Sequence, residues 1–375
     1  MMKNNIIPLY DSHNLMIDKS EDCYVFDSKG KRYLDLEAGV WCTNIGHSNS
    51  YLNEIITDQI KLNIHHGYKF KNKYAESLSD KILEISEIKN GQSVFLSSGS
   101  EAIEFAIAVA KQIRKKDKIL KTSSSYLSAF GQGKESADNF GLERILINDI
   151  NSIQKINIEE IAALVLEVGN ASFDVVRFPD TKFIDVLVSY AKRAECILIC
   201  DEVTTGIGRT GKWFGFQHYD FIPDILVCGK GLGNGYPISS VTINENISEE
   251  LIKNPLRYAQ SHQNDSLGCA VGCGVLDYII VNDLIDYCEH TGKYFLSELS
   301  NLQKNNPGKI KEVRGKGLIL SIEFYNDVDS KIIYHDLLEA GFLLGYKNNS
   351  FRFLPSLTIK KNDIDDFIKC LGLLL

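Results

Sequence analysis

Apolar runs and helical repeats alternate through the middle of the chain. Short apolar runs such as 162–166 and 225–228 have the length of buried strands. Stretches such as 50–64, 74–86 and 181–194 repeat apolar residues every three to four positions, as amphipathic helices do. The strands predicted in this middle part of the chain are 93–96, 119–120, 144–147, 162–166, 196–203, 225–228 and 239–242. This alternation predicts an α/β fold with a mainly parallel central sheet.

The two ends of the chain have a different pattern. Residues 21–35 alternate in strand fashion around Ser28-Lys-Gly30, which predicts a hairpin. A long helical connector over 264–305 is followed by strands and by a final helix at 361–374. We therefore predict a smaller α+β domain built from the N-terminal segment 1–45 and the C-terminal part 286–375, beside a large domain at 46–285.

Composition and charge narrow the class of protein. The chain has 375 residues, 44% hydrophobic and 24% charged, which is typical of soluble globular proteins. A net charge of −8 argues against a nucleic-acid partner. No apolar run approaches the roughly 20 residues of a membrane span, and the N-terminus lacks the apolar core of a signal peptide. We expect a cytoplasmic protein with no membrane partner.

The nine cysteines do not have the pattern that predicts a disulfide or metal framework. Their number is odd, none lies in a Cys-x-x-Cys motif, and several lie inside apolar segments, where a free cysteine acts as a small hydrophobe. His65-His66 is the one cluster among eight histidines, which is weak support for a metal site. We expect no metal.

One lysine lies among glycines at the end of a predicted strand. Lys230 belongs to Gly229-Lys-Gly-Leu-Gly-Asn-Gly235, directly after the run 225–228, and Asp201 ends the earlier run 196–200. An enzyme that uses pyridoxal phosphate (PLP) needs a lysine for the Schiff base and a carboxylate that keeps the pyridine nitrogen protonated. The alternative is a solvated loop lysine and a strand-end cap, but the surrounding motifs favour the cofactor.

A second motif can bind phosphate. In Ser97-Ser-Gly-Ser100 the glycine lets the backbone approach a ligand, and a following helix offers free N–H groups with a positive dipole. A serine that only caps the helix N-terminus explains the same residues equally well.

A third motif is misleading. Gly206-Ile-Gly-Arg-Thr-Gly-Lys212 matches the dinucleotide pattern G-x-G-x-x-G and the start of a phosphate-binding G-x-x-x-x-G-K loop. The second pattern needs Ser or Thr next, and Trp213 is there; the first needs a helix that opens on the glycines. We favour a structural loop in which Arg209 is an anchor.

Taken together, the motifs resemble those of the class III aminotransferases, from about residue 20 to the C-terminus. The residues that carry the resemblance are Gly30-Lys-Arg-Tyr-Leu-Asp-Leu36, Gly46-His47, Ser98-Gly-Ser-Glu-Ala102, Asp201–Lys212, Pro223-Asp224 and Gly229–Pro237. The resemblance implies the fold-type-I PLP architecture, PLP as cofactor, and a homodimer with shared active sites.

The resemblance also implies a role for individual residues. Lys230 would form the Schiff base and Asp201 would pair with the pyridine nitrogen. Arg352 would bind a substrate carboxylate beside Trp41, which with Cys42 is similar to the Trp-Cys of omega-amine members. Ser261 would reach the phosphate of the neighbouring subunit. The other implied cofactor-binding residues are Ser98, Gly99, Ser100, Tyr126, Glu167, Val203 and Thr204.

The chain departs from the family pattern at several positions. Leu127-Ser128 replaces the usual His-Gly after the stacking aromatic residue, and the segment 130–148 is short. Ser172 stands where ornithine-like members have a glutamate that gates the arginine, and Asp265-Ser-Leu267 replaces Asn-Pro-Leu. With no glutamate at 172, we expect Arg352 to stay available to carboxylates. The alternative is that Arg352 pairs with an acidic neighbour in the small domain.

These residues predict an enzyme that moves an amino group from an amino acid or omega-amino compound to a keto acid, 2-oxoglutarate or pyruvate, by a ping-pong mechanism. Lys230 would carry the proton between the substrate carbon and the cofactor. Two alternatives stay open. One is another PLP reaction on the same fold (an epimerase, aminomutase or decarboxylase), and the other is a non-catalytic binding protein of this fold.

Overall fold

The computed structural model describes residues 5–7, 9, 13, 15–134, 141–169 and 176–375. Within these residues a seven-stranded sheet lies at the centre, flanked by helices, and two four-stranded sheets are built from the ends of the chain. The α/β class with a mainly parallel central sheet, predicted from the pattern, is confirmed.

Fifteen strands are found in the described residues. They are β1 Ile17–Glu21, β2 Tyr24–Asp27, β3 Arg32–Asp35, β4 Gln92–Leu96, β5 Lys118–Thr122, β6 Leu142–Ile145, β7 Ile161–Leu166, β8 Ile197–Asp201, β9 Ile225–Cys228, β10 Ser239–Ile243, β11 Ile310–Lys316, β12 Ile319–Phe324, β13 Phe342–Leu343, β14 Gly345–Lys347 and β15 Ser350–Phe353. The strands β7, β8 and β9 are buried at every position, as continuous apolar runs predict for a sheet covered on both faces.

The central sheet has the strand order β4-β10-β9-β8-β7-β5-β6. The pairs β9–β8, β8–β7, β7–β5 and β5–β6 are parallel, so their carboxyl ends meet at one edge. The strand β10 is antiparallel to both of its neighbours, so β4 also ends at this edge. The predicted strand at 239–242 is confirmed. Its antiparallel direction was not predicted from the apolar pattern.

The right-handed α-helices in the described residues are α1 Ser50–Leu62, α2 Lys73–Ser86, α3 Gly99–Arg114, α4 Ile150–Gln154, α5 Thr181–Ala194, α6 Glu245–Lys253, α7 Ser266–Val281, α8 Leu284–Asn305, α9 Ser330–Glu339 and α10 Lys361–Leu374. The predicted connector over 264–305 is two helices, not one. They meet at 66° because Asp283 has a left-handed backbone (φ 52°). No single helix in the described part of the chain has the length and apolar character of a membrane span.

Both ends of the chain contribute to one small sheet. The predicted hairpin forms between β2 and β3, and β3 then pairs in parallel with β13, Leu34 opposite Phe342. The other small sheet, β11-β12-β15-β14, carries Arg352 on β15. The division of the chain into domains at 45 and 285 stays a prediction.

The loop 206–212 has the structural role that we favoured. Arg209 is fully buried, donates to the backbone oxygen of Pro355, and donates to Asn44 Oδ1 at 2.5 Å. This arginine therefore links the loop to segments near both ends of the chain, and no α-helix opens on the glycines of this described loop. The nine cysteines, all within the described residues, are free.

Candidate active site

The predicted site residues follow the carboxyl ends of neighbouring strands. Lys230 lies two positions after the end of β9, Asp201 ends β8, Glu167 follows β7, Tyr126 follows β5, and Gly99 follows β4. Because these strands run in the same direction, the folding of the sheet brings residues separated by more than 100 positions to one edge. Ligand sites of open α/β sheets lie at this edge.

Lys230 is half-buried as a residue, and its amine end lies in the interior of the site. Its Nζ donates to Thr204 Oγ1 at 2.9 Å and lies 4.2 Å from the centre of the Trp41 ring. Burial lowers the pKa of Lys230, although the carboxylates of Glu167 and Asp201 act in the opposite direction. A lowered pKa favours the neutral amine, which is the form that reacts as a nucleophile and accepts a proton.

Asp201 is a buried carboxylate with one oxygen left for a ligand. The residue is only 3% exposed, and Oδ1 accepts the Val203 N–H at 3.0 Å. Among the described residues no donor bonds Oδ2. Burial raises the pKa of Asp201 to about 7. A cationic N–H placed against Oδ2 would lower this pKa and stabilise the carboxylate, so the side chain fits the role of a pyridinium partner.

The neighbouring carboxylate, Glu202, has a different role. It accepts bonds from the Thr205 hydroxyl at 2.6 Å and from the backbone N–H groups of Gly215 and Phe216, both at 2.8 Å. Burial raises its pKa to about 7 as well. Its oxygens are occupied by the chain itself, so Glu202 holds the loop after β8 in place. The sequence motif did not separate these two acids; their hydrogen bonds do.

Three strand ends leave a small space beside Val203. A Cβ added at Gly99 would lie 2.8 Å from Val203 Cγ1, and a Cβ added at Gly229 would lie 3.3 Å from the same atom. Glycine is therefore required at 99 if Val203 is to keep its position, and the open N-terminus of α3 begins there. A phosphate fits such a helix end.

The serines around Gly99 already have partners. Ser98 Oγ accepts the Glu101 N–H at 3.2 Å, which is an N-cap, and Ser100 Oγ accepts the Ala129 N–H at 3.0 Å. The capping explanation is therefore correct for Ser98. Both hydroxyls still carry a proton that can be donated to a phosphate oxygen.

Tyr126 and Glu167 are joined through the backbone. The Tyr126 N–H donates to Glu167 Oε2 at 3.1 Å, and Tyr126 is 38% exposed, while Glu167 is 1% exposed. Leu127 is buried against the apolar cluster around α3, and Ser128 Oγ donates to the Phe130 oxygen at 2.6 Å. The unusual Leu127-Ser128 pair thus closes the loop locally. Residues 135–140 of the short segment lie outside the described residues.

Arg352 is not left without an acidic partner, so that expectation is wrong. Its Nη2 donates to Glu37 Oε1 at 3.1 Å, and both side chains are largely buried. Its guanidinium carbon also lies 4.4 Å from the centre of the Trp41 ring. Glu37 was missed because it is 315 positions away in the sequence. Ser172, the position of the missing gate, lies outside the described residues.

Ser261 lies in an exposed turn over 261–264. The preceding residue, Gln260, donates to Ser97 Oγ and to Glu101 Oε1, both at 3.1 Å. The turn therefore lies beside the start of α3 in its own chain. Its contact with a neighbouring subunit stays a prediction.

One cluster in the described residues has the ligand types of a metal site. His65, His262 and Asp265 bring one ligand atom each to within 4.8 Å of the others. His65 Nδ1 lies 2.9 Å from Asp265 Oδ1, so a hydrogen bond accounts for that pair, and both histidines are exposed. The cluster carries no argument for a bound metal here.

Comparisons with known proteins agree with this geometry. The sequence model of the family "Aminotransferase class-III" matches residues 8–134 and 132–375. The acetylornithine aminotransferase of Caldanaerobacter subterraneus is 31% identical over 98% of this chain and 96% of its own length. The chain belongs to the class-III aminotransferase family. It is a PLP-dependent aminotransferase.

Solved structures show the same fold. An acetylornithine aminotransferase from Elizabethkingia anophelis has a TM-score of 0.86 at 27% identity and covers 98% of this chain and 95% of its own. A taurine:2-oxoglutarate aminotransferase from Bifidobacterium kashiwanohense, solved with PLP and glutamate, has a TM-score of 0.89 at 18% identity over 98% of this chain and 94% of its own. The second shows the fold alone.

Proposed function

We propose that this enzyme transfers an amino group from an amino acid or omega-amino compound to a keto acid, 2-oxoglutarate or pyruvate, in two half-reactions of a ping-pong cycle. The observation that carries the proposal is the enclosed amine of Lys230 beside the buried carboxylate of Asp201, at the ends of adjacent strands. The acetylornithine enzymes among its relatives support an amino-acid donor.

One group of residues would hold the cofactor. Bound PLP supplies an electron sink that accepts the charge left when the substrate carbon loses a proton. Asp201 would hold the ring N–H, and Gly99 with Ser98 and Ser100 would hold the phosphate. Val203 and Tyr126 would contact the faces of the ring.

Lys230 would both hold the cofactor and move the proton. Thr204 Oγ1 accepts from Nζ at 2.9 Å and so fixes where the amine points. Burial keeps this amine in the neutral form at a lower pH than a solvated lysine, which suits a group that must take a proton from one carbon and return it to another. Glu167 would orient the Tyr126 loop through the backbone N–H that it accepts.

Arg352 would bind the carboxylate of the substrate after Glu37 releases it. A guanidinium forms two parallel hydrogen bonds with a carboxylate, which a lysine cannot do. Glu37 occupies part of the Arg352 guanidinium, so a substrate carboxylate has to take the place of the Glu37 carboxylate. The exchange of like for like costs less than removing the pair altogether, which leaves a buried charge alone.

The test is Arg352→Ala assayed with two matched donors, 4-aminobutyrate and butylamine. Losing a charge-assisted pair of this kind costs about 2–5 kcal/mol, so kcat/KM for the carboxylated donor should fall roughly 30-fold or more while that for butylamine changes little. The variant Glu37→Gln/Arg352→Ala controls for the buried charge that the single change leaves. If both donors keep the wild-type ratio and the protein only melts earlier, Arg352 is structural.

The same assay separates the other PLP reactions. Each reaction is run with and without 2-oxoglutarate or pyruvate. An aminotransferase releases product beyond one equivalent only when the keto acid is present, because the amino group must leave the cofactor before the next cycle. Sustained turnover of the amine without a keto acid would identify an epimerase, aminomutase or decarboxylase instead.

We also propose a cytoplasmic homodimer in which Ser261 of each chain serves the site of the other. The exposed turn that carries Ser261 supports this proposal. Among the described residues of the single chain, no group hydrogen-bonds the Ser261 hydroxyl, which leaves it available to a ligand of a neighbouring subunit.

A further inference from the structure

A left-handed helical turn lies between β3 and α1. Residues Ala38, Gly39, Val40 and Trp41 have φ values of 46°, 57°, 59° and 69°. The Trp41 N–H donates to the Glu37 oxygen at 2.6 Å, and the Cys42 N–H donates to the Ala38 oxygen at 2.9 Å, so the turn is closed by helix-type bonds. Only one of the four residues is glycine, and a β-branched residue in this region is strained.

A buried carboxylate holds this turn. Asp35 Oδ1 accepts the Glu37 N–H at 2.9 Å, and Oδ2 accepts the Gly39 N–H at 2.8 Å. His47 Nε2 lies 2.9 Å from the same Oδ2, on a side chain that is 12% exposed. Asp35 thus has three partners, and two of them are the backbone of the turn.

Leu36, which precedes the turn, is also held by backbone hydrogen bonds. The Leu36 N–H donates to the Leu343 oxygen at 2.8 Å, and the Leu36 oxygen accepts the Leu354 N–H at 2.7 Å. The chain therefore enters the turn from a fixed strand, and the handedness of the turn decides where its side chains point.

The turn brings two side chains to the site. Glu37 Oε1 accepts the Trp41 Nε1–H at 3.3 Å and the Arg352 Nη2–H at 3.1 Å. The Trp41 ring in turn lies against both Lys230 Nζ and the Arg352 guanidinium. A Cβ at Gly345 would collide with Glu37 Oε1, so a larger residue there would force the Glu37 side chain to shift.

We infer that this strained turn is a positioning device for catalysis. Asp35 and His47 are positioning residues: they hold Trp41 against Lys230 and Glu37 against Arg352 without contacting the substrate. The strain persists because the carboxylate and the flanking strand pairs determine the backbone more strongly than the local preference of Ala38, Val40 and Trp41 does. The inference rests on the proposed function in giving Trp41 and Arg352 to the substrate.

The experiment reports on Trp41 itself. The chain has two tryptophans, so Trp213→Phe leaves Trp41 as the single tryptophan, which is excited at a wavelength that the tyrosines do not absorb. In this background, acrylamide quenching of the full-length protein is measured before and after loading with PLP, and donor kinetics are measured after loading. Trp41 is 7% exposed, so wild-type quenching should be weak.

Asp35→Asn keeps one acceptor oxygen and loses the second, so one backbone N–H of the turn is released. We expect the quenching constant of Trp41 to rise at least about twofold, and KM for the donor to rise about tenfold with kcat changed less than about threefold. His47→Ala should act in the same direction, and His47→Gln, which can still donate to Asp35, should restore much of the loss. This rescue carries the test if Asp35→Asn does not fold.

Val40→Gly tests the strain. Val40 is 61% exposed, so glycine removes little packing and accepts the left-handed backbone. We expect a higher melting temperature with the wild-type quenching of Trp41. Lys115→Gly is the matched control, since Lys115 is an exposed left-handed residue (φ 52°) at the end of α3, away from the site. It should raise the melting temperature and leave both quenching and KM unchanged.

Two results would overturn the inference. One is wild-type quenching and wild-type KM in both Asp35→Asn and His47→Ala. The other is a Val40→Gly protein that melts earlier than the wild type while Lys115→Gly melts later. The quenching and melting readouts do not depend on amino transfer, whereas the KM readout applies only to an active enzyme. If the wild-type enzyme transfers no amino group, the proposed function is wrong. The inference about the turn is then tested by quenching and melting temperature.

Discussion

Asp201 and Lys230 both hold their charged groups where the charged forms are unfavourable. Burial raises the pKa of the acid to about 7 and lowers that of the amine. We propose that a pyridinium N–H stabilises the ionised form of Asp201, and that the neutral amine of Lys230 reacts with an electrophilic carbon. Residue identity was readable from the sequence, whereas the burial that gives these residues their chemistry depends on the sheet.

The acid at 201 predicts a pH dependence of stability in the cofactor-free protein. Between pH 3.8, where a free aspartate titrates, and about 7, the folded carboxyl holds a proton that the unfolded one has lost. Unfolding therefore releases a proton, and the free energy of unfolding should fall as pH rises through this window, by up to about 1.4 kcal/mol per pH unit for each such group. Above pH 7 the contribution is constant.

Chemical unfolding at pH 5 and pH 7 measures this slope. Asp201→Asn should remove the contribution of Asp201 to this slope. Glu202→Gln should remove a second contribution, because burial also raises the pKa of Glu202 to about 7. Loading with PLP should reduce only the contribution of Asp201 to the slope, since the pyridinium stabilises the ionised form of this acid. Equal slopes in the wild type and in Asp201→Asn would contradict the raised pKa of Asp201.

At the scale of elements, we propose that the phosphate of PLP binds at the N-terminus of α3. Gly99→Ala places a methyl group 2.8 Å from Val203 Cγ1, so the helix start or the valine has to move. We expect the dissociation constant of PLP to rise about tenfold or more, which corresponds to roughly 1.4 kcal/mol. The melting temperature of the cofactor-free protein should change less than its PLP affinity.

The control for this prediction is Gly308→Ala. A Cβ at Gly308 meets no atom within 4 Å, so the change tests glycine replacement alone. PLP is titrated into each cofactor-free variant and followed by its absorbance. A Gly99→Ala protein that binds PLP as tightly as the Gly308→Ala protein would show that the phosphate lies elsewhere.

The elements were largely predictable, and the contacts between them were not. The helices Thr181–Ala194 and Lys361–Leu374 and the strand Ile225–Cys228 have the predicted bounds, because periodicity and capping are local properties. The antiparallel direction of β10 depends on which strand it pairs with. The ion pair of Arg352 with Glu37 and the left-handed turn at 38–41 depend on segments brought together from both ends of the chain.

At the scale of the whole molecule, the stretch from Ile60 to Phe70 exposes five large apolar side chains. They are Ile60, Leu62, Ile64, Tyr68 and Phe70, with exposures between 45% and 74%. Apolar surface of this kind in one segment marks an interface. This segment is where we expect the second subunit of the proposed dimer to pack.

Leu62→Arg should therefore weaken the dimer. Leu62 is 74% exposed in the single chain, and a charge there would be buried by a partner. Leu373→Arg, at a residue 81% exposed on the last helix, is the control and should leave the assembly unchanged. Light scattering should give twice the 42.1 kDa chain mass for the wild type and the control, and a lower mass for Leu62→Arg. A wild-type monomer with full activity would exclude the shared site.

The central claim is that this aminotransferase holds PLP through Lys230, and one measurement tests it directly. The PLP-loaded protein is reduced with borohydride, which fixes the cofactor to the lysine that carries it, and is then digested for peptide mapping. We predict one label per chain, on the peptide that contains Lys230, and no label in Lys230→Ala. A label on another lysine, or bound PLP that reduction never fixes to Lys230, would contradict the account.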